Sequence, residues 1–89
     1  ARYAAFARGD AAYLLRTWAA ETRPATLDLD PAQAWTGLTV EAHETTGPNT
    51  ATVRFAARFR HGRRTGRLRE TSRFRREGAS WVYVDGETG

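Results

Sequence analysis

The sequence predicts an α+β domain in which N-terminal helices precede, and pack on, a four-stranded antiparallel sheet. Three observations carry this. Apolar residues in the first third recur at helical spacing, four later segments alternate apolar and polar residues, and turn residues separate those segments. Ten of the 14 arginines lie between Arg54 and Arg76, where they alternate with apolar residues, so one face of the sheet is basic.

The elements follow in order. Tyr3 and Phe6 lie three apart on a first helix, Gly9 breaks it, and Asp10 is placed to cap a second helix carrying Tyr13, Leu14, Thr17 and Trp18 on one stripe. Residues 21–28 read as a connection, with Pro24 ending any helix. Asp30-Pro31-Ala32-Gln33 has the pattern of a short helix start closed by Trp35, so the helical layer is expected over about 1–35. The sheet is expected over about 36–86, with strands near 36–45, 51–61, 67–76 and 80–85. In the first, Leu38, Val40 and Ala42 alternate with Thr39, Glu41 and His43, up to a turn at Gly47-Pro48-Asn49. His43 is expected to face outward and His61 to lie in a loop.

Strand side chains point alternately to opposite faces, so the two central strands can be sorted by row. Val53, Phe55, Ala57 and Phe59 share a face with Leu68, Glu70, Ser72 and Phe74 if Gly62 to Gly66 form the turn. With Phe59 opposite Leu68, Arg54, Arg58 and Arg60 fall opposite Arg73, Arg69 and Arg67, with Arg75 continuing the row. Directly opposed like charges destabilise a sheet, typically by a few tenths of a kcal/mol to about 1 per pair. Either acids from a neighbouring strand offset them, Glu41 above all, or an anionic partner does, since arginine suits bidentate contact with carboxylate or phosphate.

Composition bounds the function. A single domain spans residues 1–89, and a chain this short buries only roughly 60–65% of its unfolded surface. The net charge of +4 is compatible with an anionic partner without requiring one. With no cysteine and two separated histidines, neither a disulfide framework nor a metal site is expected, and no cofactor. No apolar run approaches the roughly 20 residues needed to span a bilayer, and no signal peptide opens the chain, so a soluble, cytoplasmic location without membrane contact is expected. The chain contains no Met, and its abrupt start at Ala1-Arg2-Tyr3 reads as that of an excised or processed segment.

Tyr3-Ala4-Ala5-Phe6, Gly9-Asp10 with Tyr13-Leu14-Leu15, Thr17-Trp18, Thr22-Arg23-Pro24, Trp35 with Gly37-Leu38, Glu70 with Ser72-Arg73-Phe74, and Trp81 with Tyr83-Val84-Asp85-Gly86 resemble the YchJ-like bacterial proteins. The resemblance spans nearly the whole chain in the right order. It implies the nuclear-transport-factor-2-like fold, a curved antiparallel sheet wrapped by helices into a cone with a cavity. Family members commonly carry cysteine-rich SEC-C zinc motifs, which this chain lacks, so metal binding does not transfer. Where the family often continues His-Pro after Thr17-Trp18, this chain has Ala19-Ala20. The resemblance implies no established biochemical activity.

Within such a cone the inward sheet face is where chemistry would occur. A two-residue turn at Gly78-Ala79 puts Phe74 opposite Tyr83 and Ser72 opposite Asp85, which places Trp81, Tyr83 and Asp85 on the face of Glu70. Glu70 and Asp85 are therefore the candidate catalytic acids, because an apolar surface and a nearby like charge both raise a carboxylate's pKa. The structural alternative pairs Glu70 with Arg16 or Arg23, and leaves Asp85 solvated. Tyr13, Trp18, Trp35, Ser72, Phe74, Trp81 and Tyr83 are the candidate pocket lining, or simply the core. Ser72 has no histidine in predictable reach, so a serine nucleophile has no support.

Three functional readings follow. The first is a non-catalytic module binding a small ligand or a protein, as a monomer or weak dimer. The second is a small-molecule isomerase or hydrolase with Glu70 or Asp85 as base and Tyr13 or Tyr83 as donor, which rests on fold analogy. The third, less favoured, is nucleic-acid or other anion binding through Arg54, Arg58, Arg60, Arg67, Arg69, Arg73 and Arg75.

Overall fold

Two very short helices open the chain in the computed structural model, which describes residues 2–89. Helix α1 spans Arg2–Arg8 and α2 spans Ala11–Arg16. Gly9, at φ +70°, makes the sharp corner between them: its N–H donates to Phe6 O (3.2 Å) and that of Asp10 to Ala5 O (2.8 Å). Asp10 then caps α2, its carboxylate accepting from the Tyr13 N–H at 3.1 Å. Helices of seven and six residues are far below the length that is stable alone, so packing holds them. Ala5 and Leu14 are fully buried.

After α2 the chain runs along the edge of the sheet. The Tyr83 N–H donates to Thr17 O (2.9 Å), the Ala19 N–H to Tyr83 O (2.7 Å), and the Thr22 hydroxyl to Val84 O (2.6 Å). These bonds tie the helical layer to the last strand. The short helix expected at Asp30 does not form. Asp30 instead closes a turn, accepting the Ala32 N–H on its side chain and the Gln33 N–H on its carbonyl, and strand β1 starts at once. An Asp-Pro start with Gln three residues on fits a capping box and an Asx turn equally well, and the β-forming residues that follow decide it.

The sheet is a meander in the order β1 (Gln33–Gly47), β2 (Thr50–His61), β3 (Arg64–Glu77) and β4 (Ser80–Thr88). All three connections are two-residue turns, and Gly62 and Gly78 occupy the first position of theirs at φ +63° and +62°. Register breaks at Trp35/Gly37, Val40/Ala42 and Thr45/Gly47 in β1 bend the sheet, and a fourth lies between β3 and β4.

Two expectations about register need correction. The β2–β3 turn is Gly62-Arg63, not a five-residue loop, so Ala57 rather than Phe59 faces Leu68. The shift of two residues keeps every side chain on its expected face and dissolves most of the arginine pairing. Arg58 and Arg67 are the one directly opposed pair of arginines among the described residues, in place of the three expected, while Arg54, Arg60, Arg69 and Arg73 face Thr71, Thr65, Ala56 and Thr52. The break at Glu41 reverses the rows beyond it, so Ala42 pairs with Arg54 on the basic face and His43 falls in the row of Val53. His43 is therefore on the inward row, not the outward one, near the exposed end of the hairpin.

The buried apolar residues are small: Ala5, Leu14, Ala19, Ala51, Ala56, Ala57 and Val82. Leu14 is the largest side chain fully buried. The aromatics are not stacked into a solid core. They stand partly exposed around an open interior, in a chain of edge-to-face contacts that runs from Tyr3 and Phe6 to Trp35 and on to Phe59.

Candidate functional site

The inward row of the sheet and the face of α1 enclose a cavity of about 200 Å³. Its walls come from Tyr3 and Phe6 of α1, Trp35, Leu38 and Val40 of β1, Val53, Phe55 and Ala57 of β2, and Leu68 and Phe74 of β3. Leu38 and Val40 remain 38% and 57% exposed, which marks the open side. Small Ala57, opposite both Leu38 and Leu68, leaves the space that a larger residue would fill.

Four polar side chains, Arg2, Glu70, Ser72 and Tyr83, complete the lining. Ser72 is buried and its hydroxyl donates to Glu70 Oε2 at 2.5 Å. Glu70 Oε2 and the Tyr83 hydroxyl both crowd Gly86: a Cβ there would lie 2.6 Å from the first and 3.0 Å from the second. Glycine at 86 is what lets the carboxylate and the phenol share that corner. The Arg2 guanidinium lies over the Tyr83 ring, 4.5 Å from its centroid, and is held by Nη1 bonds to Leu14 O and the Thr17 hydroxyl. Burial holds the Arg2 pKa below its ordinary value, and burial with the nearby Glu70 charge pushes the Tyr83 phenol up.

Glu70 makes no ion pair among the described residues. Of the two arginines expected to neutralise it, Arg23 bonds to Trp18 O at 2.8 and 3.2 Å, and Arg16 lies over the Tyr13 ring. Glu70 thus has one oxygen on Ser72, while Oε1 takes no hydrogen bond from a described residue. No histidine lines the cavity, so no Ser–His relay is assembled at Ser72.

The second candidate acid is elsewhere. Phe74 faces Tyr83 as the two-residue turn requires, but β4 then gains one residue, so Arg73 pairs with Asp85 and Ser72 with Gly86. The bulge turns Asp85 to the basic face, where it accepts from Arg73 Nε at 2.5 Å. Asp85 is corrected from cavity acid to partner of Arg73.

Among the expected lining residues, Trp35, Ser72, Phe74 and Tyr83 do face the cavity. Tyr13, Trp18 and Trp81 do not. Trp18 packs edge-on behind Tyr83 at 4.9 Å, its buried indole N–H without a hydrogen-bond partner among the described residues, and Tyr13 sits beside Arg16. Trp81 stands 44% exposed at the sheet end opposite Arg76. Sequence reasoning missed the aliphatic walls of the cavity and Arg2, its one basic lining residue. The helical offset of Arg2 from Phe6 placed it on the inward stripe of α1, and that signal was available.

The basic face is unevenly compensated. Arg69 pairs with Glu41, the acid expected to offset it, Arg73 with Asp85 and Glu87, and Arg75 with Glu21 and Glu77. Towards the β2–β3 turn, Arg58, Arg60 and Arg67 form no ion pair among the described residues, nor does Arg54, which lies between the levels of Arg69 and Arg73, and Arg58 donates to the Thr39 hydroxyl at 3.0 Å. His61, exposed at the end of β2, bonds instead to Asp30 at 2.8 Å. Among the described residues no helix is long and apolar enough to cross a membrane.

Comparison with known proteins agrees with this architecture. The family model of the YchJ middle NTF2-like domain matches residues 1–86. The chain is 52% identical over 88 residues to a UPF0225 protein of Streptomyces coelicolor, covering 97% of this chain and 68% of that protein. It is 50% identical over 86 residues to a UPF0225 protein of Polaromonas naphthalenivorans, covering 97% and 63%. The chain therefore spans about two thirds of the length of these curated relatives. The solution structure of a SEC-C motif containing protein from Rhodopseudomonas palustris superposes with a TM-score of 0.85 at 30% identity, over 99% of this chain and 73% of that one.

Proposed function

Because the chain belongs to the YchJ middle NTF2-like domain family, and its cone is open and apolar with one unpaired acid at its polar end, we propose that it is a binding module that holds a small, mostly apolar molecule in the cone. The observation that carries this is the cavity itself: about 200 Å³ of space walled by aromatic and aliphatic side chains around Glu70, which has no ion-pair partner among the described residues. Apolar walls with a few convergent polar groups are the usual construction of a small-molecule site. A packed core would have closed around a residue larger than Ala57, because protein interiors leave few voids above the size of a water molecule.

The test is a thermal-shift and NMR screen of apolar fragments against the chain and against Ala57→Leu, which fills the cavity without adding charge. Fragments that stabilise the parent, shift the amides of β2 and β3, and lose at least tenfold in affinity on Ala57→Leu are the expected result. Absence of any saturable binder to the parent would overturn the reading.

A further inference from the structure

The polar end of the cavity specifies more than its apolar walls do. Arg2 donates only through Nη1, to Leu14 O and the Thr17 hydroxyl, so Nε and Nη2 make no hydrogen bond among the described residues. Among the described residues Glu70 accepts only through Oε2, from Ser72. Tyr83 lies between the two, with the guanidinium over its ring and its hydroxyl beside the carboxylate at Gly86. One unsatisfied cationic donor and one unsatisfied anionic acceptor therefore border the same apolar space.

We infer that the molecule held in the cone carries no net charge and ends in a head group that offers a hydrogen-bond acceptor to Arg2 and a donor to Glu70, as a carboxamide or the zwitterion of an α-amino acid does. This rests on the binding reading above. A lone ammonium would pair with Glu70 but bring a second positive charge to Arg2. A lone carboxylate would pair with Arg2 but bring a second negative charge to Glu70. Like charges brought together out of water are strongly unfavourable, whereas a head group with both polarities satisfies both side chains.

The test is a series sharing one phenyl body: ethylbenzene, phenethylamine, phenylacetate, phenylacetamide and phenylalanine, titrated by NMR into the 89-residue chain. Phenylacetamide or phenylalanine is expected to bind at least about tenfold more tightly than either singly charged probe, and which of the two binds tighter identifies the head group. Glu70→Gln should move the preference towards phenylacetate by about tenfold, and Arg2→Gln should move it towards phenethylamine. Each preference is a ratio of two ligands on one variant, so it survives a general loss of stability. Equal binding of all five overturns the inference and leaves the cavity reading standing, as does a preference for one charged probe in the parent. Failure of all five, ethylbenzene included, overturns the cavity reading itself.

Discussion

Gly66 lies directly opposite Phe59, and a Cβ at that position would sit 2.6 Å from the tip of the Phe59 ring. Its backbone is not left-handed, so the requirement is for space alone. Gly66→Ala must push Phe59 away and disturb its edge-to-face contact with Trp35 at 5.7 Å. The expected cost is about 1–3 kcal/mol, the usual range for overpacking, read as a fall of several degrees in thermal denaturation. Acid sensitivity is also decided by single residues. The hydrogen bond from Arg75 holds Glu21 down to about 2, against an ordinary value of 4.5. A carboxylate depressed in the folded state stabilises the fold above its unfolded pKa and loses that contribution as pH falls, here between about 4.5 and 2. Asp30 is depressed in the same sense, first by the Ala32 N–H and then by His61. Stability measured from pH 6 to pH 2 should fall, and Glu21→Gln should shallow the fall below pH 4.5. An unchanged slope would mean that the pair is too solvated to matter, as exposed pairs often are. At this scale the sequence was most readable where one residue has one job, as with Asp10 capping α2 and Glu41 meeting Arg69.

Between residues and the whole fold, the strands were legible and their irregularities were not. Period-two alternation and glycine-led turns identify β2, β3 and β4, and they place Glu70, Ser72 and Phe74 on the inward row. Bulges leave no comparable mark, because an extra residue in Tyr83-Val84-Asp85 reads as uninterrupted strand. That one residue decides whether Asp85 joins Glu70 or Arg73. Deleting Val84 removes the extra residue and leaves Asp85 opposite Arg73 in a regular ladder, so the ion pair is kept while the bulge and the Val84 carbonyl that accepts from the Thr22 hydroxyl are lost. The deletion should therefore lower the melting temperature by more than Asp85→Asn, which only breaks an exposed pair. Equal effects would show that neither the bulge nor the Thr22 bond contributes to stability. The same limit explains His43: alternation counted from Leu38 fails at the bulge residue Glu41.

Charge is distributed unequally across the whole molecule, and no single strand reveals it. The +4 net charge conceals a basic face on which, among the described residues, the arginines away from the β2–β3 turn are matched, all but Arg54, by acids from four elements of the chain, while those near that turn are not. The acids come from β1, β3, β4 and the connection after α2, so the compensation is a tertiary property that composition and alternation cannot report. At the unmatched end, Arg58 and Arg67 oppose each other directly across the β2–β3 ladder. Sheet stability responds to directly opposed pairs, so reversing one member converts repulsion to attraction. Arg67→Glu should raise the melting temperature by a few degrees at low salt, although it removes a basic residue from the most cationic region. The gain should shrink as ionic strength rises towards 1 M, where the screening length is about 3 Å. Arg69→Glu, at the matched end, should do the opposite by placing a carboxylate against Glu41. If both reversals destabilised equally, the arginines near the turn would be acting through their packed stems rather than their charge, and the division of the sheet into matched and unmatched halves would have no energetic meaning.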